Sequence, residues 1–160
     1  MKVAMQNMYN YKKPANYYSQ VKDLKKQPES TGRPVQQKNS GDDYLEQKIL
    51  TAKPEELTLM LYDGIIRFIK QAKLFNDQKN VERCSNALIR AQDIIDELNI
   101  TLNMDYEISL NLRELYVFMR TRLVESNYKK DNAIMDEVLG LATDLRDTWR
   151  EAMEKARNEK

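Results

Sequence analysis

"TAKPEELTLMLYDG", Thr51 to Gly64, is the stretch whose reading decides the fold. Pro54 suits the first turn of a helix, where its missing N–H is not needed. Glu55 and Glu56 follow, where the positive end of a helix dipole favours negative charge. Behind them run Leu57, Leu59, Met60, Leu61 and Tyr62, five large apolar residues in six. A surface helix shows one apolar stripe and is polar elsewhere. This one is apolar around much of its circumference.

From Pro54 onward the chain has no further proline, and helical periodicity recurs in four segments. The first spans roughly Pro54 to Phe75, with Leu57, Leu61, Phe68, Ala72 and Phe75 on one stripe. "NDQKN" breaks it, and Asn80 is placed to cap the second segment. That one runs from Val81 to about Leu102, with Cys84, Ala87, Leu88, Ala91, Ile94, Ile95, Leu98 and Leu102 at i, i+3, i+4, i+7 spacing. "NMDYE" breaks it in turn. The third runs from about Ser109 to Tyr128, with Leu112, Leu115, Tyr116, Met119 and Leu123. After "KKDN", where Asp131 or Asn132 can cap, the fourth runs from Ala133 to about Lys155. It carries Ile134, Val138, Leu141, Leu145 and Trp149. Each segment is near ~30 Å long at ~1.5 Å per residue. Short connections between helices of equal length force antiparallel neighbours. The expected architecture is all-α: an antiparallel up-down-up-down four-helix bundle over residues 44–160, preceded by a disordered or loosely docked tail over residues 1–43.

The tail differs from the body in charge. Residues 1–43 hold eight Lys/Arg against four Asp/Glu, a net of +4; residues 44–160 hold eighteen against twenty-one, a net of −3. Three of the four prolines and two of the four glycines lie in the tail. The segment "KKQPESTGRPVQQKNSGDD" has one aliphatic residue, Val35, and cannot offset an ordering cost of ~1–2 kcal/mol per residue. Nearer the N-terminus, Tyr9, Tyr11, Tyr17 and Tyr18 are four of the nine tyrosines. They read either as solvated aromatics or as a segment able to dock on a groove.

Several function classes fall away. Net charge is +1, and the body is mildly acidic, so no nucleic-acid interface is expected. No apolar run approaches the ~20 residues of a membrane span, so no membrane insertion is expected. The single cysteine, Cys84, excludes an intrachain disulfide and fits the cytoplasm. There is no histidine, which removes the usual general base and the commonest metal ligand. The glycines form no phosphate loop. Asp93, Asp96 and Glu97, and Asp136, Glu137, Asp144 and Asp147, read as solvated helix faces rather than a paired-carboxylate centre. Arg146 with Asp147, and Arg150 with Glu151, read as surface pairs. No catalytic residue, cofactor or metal is expected.

The apolar excess is unexplained by a bundle alone, whose helices need about three apolar positions in seven. In the first helix Leu59, Ile66 and Ile69 fall off the main stripe. In the second, Ile94 and Ile100 stand beside Ile95, Leu98 and Leu102. Two readings stay open: the fourth helix or the tail covers these residues, or they form a face for a partner.

"LTAKPEELTLMLYDGIIRFIKQAK" resembles the opening of the flagellar secretion chaperone FliS family, whose pattern is close to T-A-S-P-x-E-L-x-x-M-L-Y-D-G. Thr51, Ala52, Pro54, Glu56, Leu57, Met60, Leu61, Tyr62, Asp63 and Gly64 match in register. The stretch from Ile89 to Ala152, with "LYVFMRTRL" and a closing Asp-x-Trp, resembles the remainder, so the likeness covers about Asp43 to Met153. It implies a cytoplasmic, non-enzymatic export chaperone. Such a protein binds the C-terminal segment of flagellin, prevents premature polymerisation and delivers it to the flagellar export apparatus. Two positions depart. Lys53 stands where the family has serine, a better N-cap. Gly41 stands where the first of two lid residues belongs, with Tyr44 matching the second. On this reading Leu57, Leu61, Ile65, Ile95, Leu98 and Leu102 lie near the flagellin-binding groove, and Tyr44 and Leu45 form its lid. Two rival classes are a generic helical adaptor, weakly homodimeric through the extra apolar face, and a small carboxylate enzyme, for which no paired carboxylates are in view.

Overall fold

The computed structural model describes Met8 and residues 40–159, with side chains from Tyr44 onward except Leu45 and Glu46. The tyrosine cluster of residues 9–18 and the polar linker to residue 39 lie outside the described residues. Five helices follow in order: α1 Ser40–Thr51, α2 Pro54–Asp77, α3 Val81–Thr101, α4 Glu107–Lys129 and α5 Asn132–Asn158. The last four make the up-down-up-down bundle. Their connections, residues 78–80, 102–106 and 130–131, are short because each helix runs to its capping residue.

The caps account for the boundaries. Asn80 accepts the Arg83 N–H at 3.1 Å and starts α3. Asp131 accepts the Ala133 N–H at 2.8 Å and starts α5. At α2 the N-cap position is Lys53, whose side chain cannot accept. Only the returning half of a capping box forms there: the Glu56 carboxylate accepts the Lys53 N–H at 3.1 Å. Thr51 does not substitute as the cap, because its hydroxyl donates back to Gln47 O at 2.8 Å.

The bundle closes as a ring in which α2 and α4 each pack against both α3 and α5. That ring answers much of the apolar excess. Helix α2 is walled by two neighbours, so Ile66 and Ile69 are buried along with Leu57, Leu61, Ile65, Phe68, Ala72 and Phe75. Leu59 and Met60 are half-buried against the same core. Across the ring's diagonal the hydroxyls of Tyr62 on α2 and Tyr116 on α4 hydrogen-bond in the interior. Trp149 on α5 fills the core and donates from Nε1 to Glu55 O at 2.8 Å, fixing α5 against the start of α2. At the other end Asn76 donates to Lys130 O and to Asn132 Oδ1, both at 2.8 Å, tying the end of α2 to the α4–α5 turn. Arg146 does pair with Asp147, at 3.0 Å, whereas Arg150 leans toward Asp147 at 4.0 Å and Glu151 pairs with Lys155.

Candidate functional site

The facing sides of α2 and α3 bring together all six residues expected near a groove. Leu57, Leu61, Ile65, Ile95, Leu98 and Leu102 are each only 0–5% exposed. They belong to one continuous apolar cluster with Tyr62, Ile69, Leu88 and Ala91. Their placement follows from sequence spacing: on α2 the three recur every four residues, and along α3 and its C-cap residue Leu102 they recur at three and four.

Two residues from the N-terminal side enter the same cluster. Ile49, on the last turn of α1, is 1% exposed. Met8 is also buried, and its carbonyl accepts the Asn103 N–H at 2.6 Å, just past the end of α3. Asn103 is itself held in the corner: its carbonyl accepts from the Ser109 hydroxyl at 2.6 Å, and its side chain accepts the Asp105 N–H at 3.1 Å. Helix α1 is absent from the helix pairs that pack extensively. Tyr44, expected in the lid, is 66% exposed, and Leu45 lies in α1 with its side chain outside the described ones. Ile49 and Met8 were not singled out from sequence. The signal for Ile49 was its position just before the Thr51–Lys53 break; for Met8, in a polar arm, there was none.

Beside this end, Asp63 on α2 faces Arg146 at 3.8 Å. Burial pushes its carboxyl above the usual range, while Arg146 and Arg150 pull it back down. Cys84 lies in the apolar cluster, and burial pushes its thiol above the usual range. Among the described residues no group of three or more His, Cys, Asp or Glu could hold a metal ion. No described helix is long and apolar enough to cross a membrane. The surface that these six residues build is apolar.

A second apolar surface lies outside the bundle, on α3 and α4. Ile94 and Ile100, grouped in the sequence, are separated by the fold: Ile94 is in the core, whereas Ile100 is 78% exposed. On α4, Leu110, Val117 and Val124 recur every seven residues on the side away from Tyr116, Met119 and Leu123, and all three are exposed. That spacing was present in the sequence and passed over beside the stronger core stripe.

The sequence pattern of a family described as "Flagellar protein FliS" matches residues 36–156. The chain is similar to the flagellar secretion chaperone FliS of Bacillus subtilis (strain 168), 42% identical over 117 residues, which cover 73% of this chain and 88% of that one. It is similar to the flagellar secretion chaperone FliS of Salmonella typhimurium, 35% identical over 115 residues, 70% of this chain and 85% of that one. With the protein of the same description from Escherichia coli (strain K12) it shares 30% identity over 112 residues, 68% of this chain and 82% of that one.

Proposed function

The chain belongs to the FliS family of flagellar proteins, and from that premise we propose that it binds the C-terminal segment of flagellin along the α2–α3 cluster. In doing so it keeps that segment from polymerising in the cytoplasm and accompanies it to the flagellar export apparatus. It acts as a chaperone rather than an enzyme, in line with the relatives' names. The observation that carries this reading is the burial of Ile49 and Met8 in the cluster that holds Leu57, Leu61, Leu98 and Leu102. Apolar side chains from the N-terminal arm are replaceable by apolar side chains from a partner, without remaking the four-helix ring. A disordered segment that folds on binding typically buries ~1,000–3,000 Å² and so favours a long apolar surface over one deep pocket. Leu57, Leu61, Ile65, Ile95, Leu98 and Leu102 would line that surface once uncovered. Tyr44 and Leu45 would ride on α1 as it moves with Ile49.

The test is calorimetry with a peptide of flagellin's C-terminal ~40–50 residues, a length of ~60–75 Å if helical. Leu61→Asp would bury a charge and unfold the bundle, so the informative variants are Leu61→Ala and Leu102→Ala. Val138→Ala on α5, equally buried, is the control for general softening. Loss of binding in the first two but not the control supports the groove. Equal affinity in all variants sinks it.

A further inference from the structure

Asn99, in the last turn of α3, has a side-chain Oδ1 that is buried and has no hydrogen-bond partner. Among the described residues one other side-chain atom is in that condition, Glu55 Oε2. The two differ in their surroundings. Glu55 stands in the first turn of α2, where the positive end of the helix dipole supports a carboxylate. Asn99 stands at the opposite kind of end, among the carbonyls that a helix leaves over, where one more acceptor finds no support. Such an atom has lost its water and gained nothing in return. Rotating the amide only exchanges an orphaned acceptor for an orphaned donor.

The neighbours of Asn99 say what it serves. Ile95 and Leu102, four residues before it and three after, share its side of the helix and belong to the apolar cluster. The chain turns out of α3 here, with Leu102 N–H donating to Asn99 O at 3.4 Å. The next residue, Asn103, donates its N–H to Met8 O at 2.6 Å. We propose, on the flagellin reading above, that Asn99 is a positioning residue for the bound segment. Asn103 N–H and Asn99 Oδ1 grip one extended residue of that segment, the first taking its carbonyl and the second its N–H. In extended backbone the N–H and C=O of one residue point to the same side, so a single residue satisfies both. Met8 makes half of this contact. It lies in a bend of the chain, its carbonyl is taken, and Asn99 Oδ1 stays without a donor. A partner that makes both bonds therefore has an advantage over the chain's own arm at this corner, whatever its side chains. The apolar cluster reads the side chains; the Asn99–Asn103 pair sets where along the segment they fall.

Calorimetry of the full chain with the flagellin C-terminal peptide tests this. Asn99→Leu keeps the shape of the side chain and removes its polar atoms. Its midpoint of urea unfolding should equal or exceed the parent's, because an uncompensated acceptor is gone. Its Kd for the peptide should nevertheless rise roughly 10-fold. Peptides with a single backbone ester each lack one N–H. One ester position should weaken binding to the parent roughly 10-fold and make no further difference in Asn99→Leu. An end of the bundle that is merely softened would leave every ester penalty in place. An unchanged Kd for Asn99→Leu overturns the proposal, and so does the lack of any ester position whose penalty vanishes in that variant. A lowered unfolding midpoint overturns it equally, because Asn99 would then have a partner in the free chain. No binding of the peptide by the parent chain overturns the flagellin reading itself and this inference with it.

Discussion

At the scale of single residues, two buried tyrosines satisfy each other's hydroxyls. Tyr62 and Tyr116 are fully buried and share a hydroxyl contact across the bundle. A double-mutant cycle of Tyr62→Phe and Tyr116→Phe in urea should give a coupling of about 0.5–1.5 kcal/mol; additivity would mean the hydroxyls act independently. Cys84 is a small core residue on α3. Burial holds its thiol protonated beyond the ordinary range. The unfolded chain therefore ionises first as pH rises, so this group lowers stability at alkaline pH and is neutral below the ordinary thiol pKa. Iodoacetamide should leave Cys84 unmodified in the native protein and label it fully in denaturant. Rapid native labelling would mean α3 opens locally. Cys84 was legible from sequence as a core position because it falls on the α3 stripe with no histidine to activate it. Its neighbour by type, Ile100, was not legible: a hydrophobic residue near a helix end obeys the pattern whether it faces in or out.

At the scale of elements, start signals were readable wherever a side chain that can accept a hydrogen bond stands at the N-cap. Asn80 and Asp131 both do, and both cap. Helices α2 and α4 are the exceptions: Tyr106 makes no side-chain cap bond at the start of α4, and at α2 Lys53 stands at the N-cap with Glu56 supplying half of a capping box. Lys53→Ser would let the hydroxyl accept a first-turn N–H and complete the box. It should stabilise the bundle by about 0.5–1 kcal/mol in urea unfolding. No gain would mean that the chain's path into Pro54, rather than the cap, limits this end. Helix ends were less legible than helix starts. Two of them use left-handed lysines, Lys79 and Lys130, where sequence rules expect glycine. Lys130 is held by polar contacts: its ammonium donates to Ser85 Oγ at 2.7 Å, and its carbonyl accepts from Asn76. Those partners lie on α2 and α3, more than forty residues away.

At the scale of the whole molecule, Met8 and Ile49 join the core that the bundle helices build. If Met8 and the arm that carries it occupy the surface a flagellin segment uses, the apparent affinity is reduced by the fraction of time the surface is open. Deleting residues 1–39, which leaves α1 in place, should then tighten peptide binding, by about 10-fold if the open fraction is ~10%. Unchanged affinity would make Met8 a structural anchor with no part in access. The sequence by itself determined that four long helices alternate in direction, where three of them begin, and which stripe of each turns inward, because period and caps are local. Through the motif from Thr51 to Gly64 it also carried the likeness to a chaperone family. Only the tertiary structure decided how the surplus of apolar residues is shared. Ile66 and Ile69 are buried because α2 has two neighbours in the ring; Ile49 and Met8 are buried because distant segments dock on its end. Ile100 and Val117 remain outside because none of the described elements packs there. Local periodicity says which residues need cover, and only the arrangement of helices in space says which of them receive it.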